Sequence, residues 1–325
     1  MKVDRMNSYK KIKEVALLCI VGASILLSSC IKEDFDDCNY QLRLLYDYNM
    51  DYVDLFSKQA SRVNLFVFDD EGVFIKEIEK PVSNQLSAFY MDVDVPFNRS
   101  YNFLAWSGLY DEYYTLNQKM KAGVTHIDDV ELSLTELNNE ILSKELPPLW
   151  FGRIQDKVGS LGSGVMPLTK NTNKIRIAMR ILPTVETDLK LVKEKFNFYI
   201  QSSNTSYNST NQVLSEKPFK YAPYYAENDE KGFIVELNTL RLMANRENLL
   251  VITDPETDEV RFTMDLNEYL DDLRFLSNNK LSLQEFMDRE DEYAMIFFFG
   301  GKDDMFSSLS VEINGWLVRK QDVNE

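Results

Sequence analysis

Apolar residues recur at every second position along most of this chain, and a period of two predicts β-strands. The pattern is plainest from Lys174 to Ile181, where Ile175, Ile177, Met179 and Ile181 alternate with Lys174, Arg176 and Arg180. That is a half-buried strand with one face in water. Phe196, Phe198 and Ile200 repeat it, as do Phe233, Val235 and Leu237, and Leu309, Val311 and Ile313 form a final strand. From Arg62 to Phe68 both faces are apolar, which predicts an interior strand, and Asp69-Asp70-Glu71-Gly72 turns it into a second strand from Val73 to Glu79. Further strands are expected at Tyr40 to Tyr48, Ala88 to Val95, Ser100 to Trp106 and Leu149 to Gly152. Leu249 to Thr253 and Val260 to Leu266 flank a Pro-containing turn and should pair as a hairpin, and Met295 to Phe299 reads as a central strand.

Helical signals are few. A turn is expected around Asp51 to Phe56 and a helix within Leu132 to Ser143; Leu266, Tyr269, Leu270 and Leu273 fall on one helical stripe, and Ser282-Leu283-Gln284-Glu285 is a capping box. Short strands with turn chemistry between them predict an all-β chain built of sandwiches. The Gly/Ser run Gly159 to Gly164 sets the expected boundary, giving an N-terminal sandwich over 40–160 and a C-terminal one over 165–325.

The N-terminus follows a different pattern. A basic start precedes a thirteen-residue apolar run, Val15 to Leu27, too short to span a bilayer, and then Leu27-Ser28-Ser29-Cys30. The tetrad resembles a bacterial lipobox, so residues 1–29 are expected to be removed and Cys30 to carry lipid. At about 0.8 kcal/mol per buried CH₂, two or three acyl chains hold a soluble body to a membrane. Residues 30–39 would then be a lipidated tether. Lys32, Glu33 and Asp34 resemble the signal that carries Bacteroidota lipoproteins to the outer face of the outer membrane, so the chain is expected there.

Composition narrows the function. Removing a leader of net charge +3 from a chain of −16 leaves −19, which disfavours nucleic acid as a partner. Of three cysteines, Cys19 leaves with the leader and Cys30 is acylated, so Cys38 has no partner within the chain and neither a disulfide framework nor a thiolate metal site can be built. The single histidine, His126, reads as a surface residue, and the acids Asp69 to Glu71 as a solvated turn. No enzymatic activity, cofactor, metal or small-molecule substrate is expected. Tyr110, Tyr113 and Tyr114 could stack on a sugar, although covering a sheet end is the better reading.

Taken together, Cys30 to Asp34, Asp37-Cys38, Tyr48-Asn49-Met50-Asp51, Val63 to Asp69, Asn173 to Arg176, Asp288 to Tyr293 and Ile313-Asn314-Gly315-Trp316 resemble the anchor-subunit family of type V fimbriae in Bacteroidales, the FimB-like minor fimbrial lipoproteins. The resemblance implies two tandem transthyretin-like Greek-key β-sandwiches with short helical insertions. It also implies a place at the base of a fimbria, where the chain would end assembly and contact a stalk subunit. Fimbriae of that family assemble by strand donation. Here the first strand should stay, since cutting it away would also sever Cys30, and the C-terminal stretch Leu309 to Glu325, with Leu309, Val311, Ile313 and the bulky Trp316, is the expected donor. A surface-exposed glycan-binding lipoprotein is the alternative.

Overall fold

The computed structural model describes residues 40–83, 87–135, 137, 140–159, 162–181, 193–300 and 308–322. Cys30 and Lys32, Glu33 and Asp34 lie outside the described residues.

In chain order the first strands are β1 (Tyr40–Leu45), β2 (Arg62–Phe68), β3 (Phe74–Pro81), β4 (Phe89–Val93) and β5 (Arg99–Ser107), with a short helix α1 (Phe56–Gln59) before β2. An insertion carries β6 (Tyr114–Leu116), β7 (Glu131–Leu134) and β8 (Ile141–Leu142), and β9 (Trp150–Val158), β10 (Ser163–Pro167) and β11 (Thr169–Lys170) follow. Two sheets form the first sandwich, ordered β10-β1-β4 and β11-β9-β5-β2-β3. Tyr40, Leu42, Leu44 and Tyr46 from one sheet meet Val63, Leu65, Val67, Phe103 and Trp150 from the other in a single apolar core. Strand β2 lies between β3 and β5 and is buried on both faces, as the apolar residues on both its faces predict. The β2–β3 turn is closed by the Asp69 carboxylate accepting from the Val73 amide at 2.7 Å, with Gly72 at φ 85°.

The second sandwich begins with β12 (Thr172–Ile181) and β13 (Asn197–Ser202). It continues through β14 (Ser206–Asn208), β15 (Phe219–Tyr221), β16 (Tyr225–Asp229), β17 (Gly232–Leu240), β18 (Asn248–Thr253) and β19 (Val260–Asp265). Two helices, α2 (Leu266–Leu276) and α3 (Leu283–Arg289), precede β20 (Glu292–Gly300), β21 (Ser308–Ile313) and β22 (Trp316–Asp322). A six-stranded sheet, β16-β17-β12-β20-β21-β22, faces a five-stranded one, β19-β18-β13-β15-β8. Ile175, Ile177 and Met179 of β12 are fully buried, while Lys174 and Arg176 turn outward to share Glu236 at 3.2 Å. The stripe on α2 is buried at each of its four positions, and the Ser282 hydroxyl caps α3 by accepting from the Glu285 amide.

Two segments differ from the sequence pattern. Residues 132–143 hold no helix among those described: β7 pairs with β14, and β8 extends the second sandwich beside β15. Leu132 and Leu134 are buried on one face of a strand, a period too short to tell from a helix in sequence. The Gly/Ser run joins two strands of the first sandwich rather than linking two domains. Its last residues enter β10, which pairs in parallel with β1 and covers an edge that would otherwise leave ladder groups unpaired. Apart from β8, the chain passes into the second sandwich at Asn171, between β11 and β12, and residues 40–325 form one compact unit.

Gly164 shows how closely β10 is fitted. It sits opposite Leu42 of β1, and a Cβ there would meet the Tyr40 hydroxyl and Oδ2 of Asp156, which are hydrogen-bonded to each other. We predict that Gly164→Val costs about 1–3 kcal/mol through overpacking. A thermal melt should show the drop, while Gly159→Ala, whose added Cβ meets nothing within 4 Å, leaves the melt unchanged.

Candidate functional site

The body is held together at a joint built from stretches far apart in sequence. Leaving β1, the chain turns through Asn49, whose amide donates to the carbonyls of Tyr46 at 3.0 Å and Val53 at 2.8 Å. This turn presents Tyr48 and Tyr52 to Arg289, the last residue of α3, whose guanidinium lies 4.3 Å and 4.6 Å from the two rings. One residue earlier, Asp288 is almost fully buried and takes a bidentate pair from Arg241, both contacts at 2.6 Å, and a third bond from Gln284 at 2.7 Å. Such a pair is satisfied enough to persist in low dielectric, and removing one partner of a buried pair costs roughly 3–5 kcal/mol. Lys170 at the end of β11 pairs with Asp291, and the Asp291 carbonyl accepts from the Lys174 amide at 2.8 Å. The turn after β21 closes the ring: the Asn314 side chain accepts from the Ala294 amide at 2.8 Å. Four stretches singled out in the sequence, 48–51, 173–176, 288–293 and 313–316, therefore meet around the start of β20.

Burial dominates the electrostatics here. Glu290 is pushed up to about 7 by desolvation first, then by the charges of Asp291, Glu292 and Asp51. Tyr46 is raised for the same reasons, burial leading and Asp291 following. Among the described residues no group of three or more His, Cys, Asp or Glu is arranged to hold a metal ion.

Strand β1 is hydrogen-bonded on both edges, to β10 and to β4. Four fully buried side chains, Tyr40, Leu42, Leu44 and Tyr46, contribute roughly 1.5–3 kcal/mol each, together about 6–12 kcal/mol. That is comparable to the whole stability of a typical domain, so β1 cannot leave without unfolding the sandwich.

The expected donor stretch is divided between two strands. Leu309, Val311 and Ile313 belong to β21, which is paired with β20 on one side and β22 on the other, and Val311 and Ile313 are fully buried in the second core. Their alternation thus serves the chain's own sandwich. Trp316 opens β22 after a two-residue turn at Asn314-Gly315, with φ of 49° and 81°, a type I′ hairpin. The Asn-Gly pair signals that hairpin in sequence, and it was the missed clue to β22. Strand β22 is the edge of its sheet, and Trp316 and Leu317 stand 47% and 52% exposed.

The remaining candidates are structural. His126 caps a short 3₁₀ turn, accepting from the Asp128 amide, and its other ring nitrogen bonds the Glu71 carbonyl at 2.8 Å. Tyr114 is fully buried and donates to the Pro147 carbonyl, and Tyr110 packs under the Arg62 guanidinium at 4.5 Å, so these tyrosines cover a sheet.

Several solved structures share this architecture. A protein from Bacteroides thetaiotaomicron described as a candidate polysaccharide binder is 26% identical with a TM-score of 0.77, covering 89% of this chain and 100% of its own. A candidate adhesin from the same organism is 25% identical with a TM-score of 0.74, covering 87% and 98%. The fimbrial anchor protein Mfa2 of Porphyromonas gingivalis, at 17% identity and a TM-score of 0.64 over 87% of this chain and 100% of its own, shares the fold. None of the curated protein sequences matches. The class is that of two-sandwich β proteins with this shared architecture. Within it, residues 35–322 match the model of the fimbrillin-A associated anchor proteins Mfa1 and Mfa2, and the chain belongs to that family. The family is one of fimbrial anchors working with a stalk protein, a structural rather than a catalytic role. No described helix is long and apolar enough to cross a membrane.

The raised Glu290 gives the joint a pH signature. Between about 4.5 and 7 the folded chain holds a proton that the unfolded chain has released, so this group's contribution to stability is full below 4.5 and falls as pH rises through 7. We predict that Glu290→Gln removes that slope and raises stability at pH 7.5 by on the order of 2 kcal/mol, after allowing for its partial exposure. Denaturant melts across this range would check it, and an unchanged slope in the variant would contradict it.

Proposed function

We propose that this chain is an outer-membrane lipoprotein, acylated on Cys30 and sorted to the cell surface by Lys32, Glu33 and Asp34, that anchors a type V fimbria at its base. It ends assembly there and engages the adjoining stalk subunit by strand donation. The observation that carries the reading is the asymmetry of the two ends. At the N-terminal end, β1 follows the lipid site by ten residues and lies between two partners, so its own groove is filled and offers no place for a neighbour's strand. At the C-terminal end, β22 has one neighbour and half-exposed apolar side chains. Detaching β22 breaks one ladder and moves the half-exposed Trp316 and Leu317 with Val318 at the core's margin, whereas detaching β21 would take the fully buried Val311 and Ile313 out of the second core. The donor is therefore assigned to Trp316–Asp322 rather than to Leu309, Val311 and Ile313. A donated strand gains main-chain bonds and side-chain pockets at once in its acceptor.

Two changes test the two ends separately. Cys30→Ala should abolish incorporation of radioactive fatty acid, and label retained by the variant would sink the lipoprotein reading. A chain ending at Asn314 loses β22 but keeps β21. It should fold and reach the outer membrane while fimbriae are shed into the medium. Fimbriae that remain on cells carrying that truncation would remove β22 as the donor.

A further inference from the structure

The second sandwich carries a cleft of about 460 Å³ that the anchoring role does not use. It arises from a mismatch in strand length. Strand β15 pairs with β13 only over Ile200–Ser202, although β13 begins at Asn197. Beyond Tyr221 the chain reaches Pro223, which has no N–H to continue a ladder, and crosses to the opposite sheet as β16. A notch is left beside Phe198 and Tyr199, lined by Tyr199, Tyr224, Tyr225, Lys193, Lys220 and Asn197. The volume falls within the roughly 300–1,000 Å³ of small-molecule sites.

Its lining sets two lysines beside aromatic rings. Lys220 Nζ stands 4.6 Å above the Tyr199 ring, and Lys193 Nζ stands 5.7 Å from the Phe198 ring and donates to the Phe196 carbonyl at 2.8 Å. Among the described residues neither lysine has a carboxylate within ion-pair distance, whereas Lys80, Lys170 and Lys174 do. Two such lysines face one notch in a chain with 52 acids against 36 bases. Burial holds Lys193 below the usual lysine range, outweighing the pull of Glu194. A cation on an aromatic face keeps donors free for a ligand. The tyrosine rings supply the other half of the site. Tyr224 is fixed by its hydroxyl donating to Glu236 at 3.0 Å, and Tyr225 is 43% exposed on the edge strand β16. Rings already held in place cost little ordering on binding.

We infer that this cleft binds an acidic saccharide, with the C–H face of a sugar ring on the tyrosines and its carboxylate on Lys220 and Lys193. A neutral sugar would leave both lysines unanswered. A bare phosphate would leave the rings unused. Asp258 is the one carboxylate among the described residues of the lining, an acceptor suited to sugar hydroxyls. The inference is independent of the anchor reading, because the cleft shares no residue with the C-terminal hairpin or the joint.

Calorimetric titration of the full mature chain in detergent tests it, with trigalacturonate as the probe and maltotriose as the neutral control. Trigalacturonate should bind, more weakly as salt is raised, and maltotriose should give no binding heat. Lys220→Met and Tyr225→Ala, both at exposed positions, should each weaken trigalacturonate binding about tenfold or more, with unchanged thermal melts. Absence of trigalacturonate binding at millimolar concentration would overturn the inference. So would equal affinity for maltotriose, or wild-type affinity in both variants.

Discussion

The five-stranded sheet of the first sandwich is buried on both faces, and the rest of the architecture depends on that burial. One face, with Val63, Leu65, Val67 and Phe103, packs on β1 and its neighbours. The other, with Phe66, Phe68, Leu104, Trp106 and Phe151, would expose a large apolar surface if left open. The insertion between β5 and β9 covers it, bringing Leu109, Tyr114, Ile127 and Leu132 down onto it. Having done so, the insertion has ladder groups of its own to satisfy. It pairs β7 with β14 and β8 with β15, so the same segment that closes the first sandwich becomes part of the second. This is why residues 40–325 form one compact unit despite containing two sandwiches.

The joint adds a polar lock to that apolar coupling. Asp288 is held by Arg241 and Gln284, while its neighbour Arg289 reaches back to Tyr48 and Tyr52 beside the end of β1. A pull on β1 is thereby passed through α3 to the start of β20 and, through Asn314, to the base of the C-terminal hairpin. In an anchor this is a useful path. On the proposed reading, the load between a filament at one end and a membrane tether at the other would run through packed sandwiches and a desolvated ion pair.

The two ends differ in how firmly they are held, and the difference is thermodynamic. A central strand with three buried side chains, and a fourth just after it at Tyr46, is committed to its own fold, and an edge strand that opens on the half-exposed Trp316 and Leu317 is less so. Edge strands on soluble proteins are ordinarily blunted. Near the opposite edge of the first sandwich, Lys76 and Lys80 of β3 reach across to carbonyls of the β4 segment. Trp316 and Leu317 on β22 do the reverse and leave an apolar edge in water.

Whatever depended on local period or on short-range chemistry was determined by the sequence alone. Ile175, Ile177 and Met179 had to share a face, β2 had to be interior, Leu266, Tyr269, Leu270 and Leu273 had to line one side of a helix, and Ser282 had to cap the next. The expectation of a leader ending at Cys30 rests likewise on contiguous residues. Elsewhere the decision was tertiary. Ser163 and Gly164 close the Gly/Ser run that reads as a boundary; they enter a strand because β1 has an edge to fill. Leu132, Leu134 and Leu142 fit either period over so short a span, and the bare face of the neighbouring sheet chose the strand. Val311 and Ile313 alternate as a donor strand would, yet so does any strand of a finished sandwich. Only the presence of β20 on one side and β22 on the other separates the two, because a ladder is satisfied by partners that lie far away in sequence.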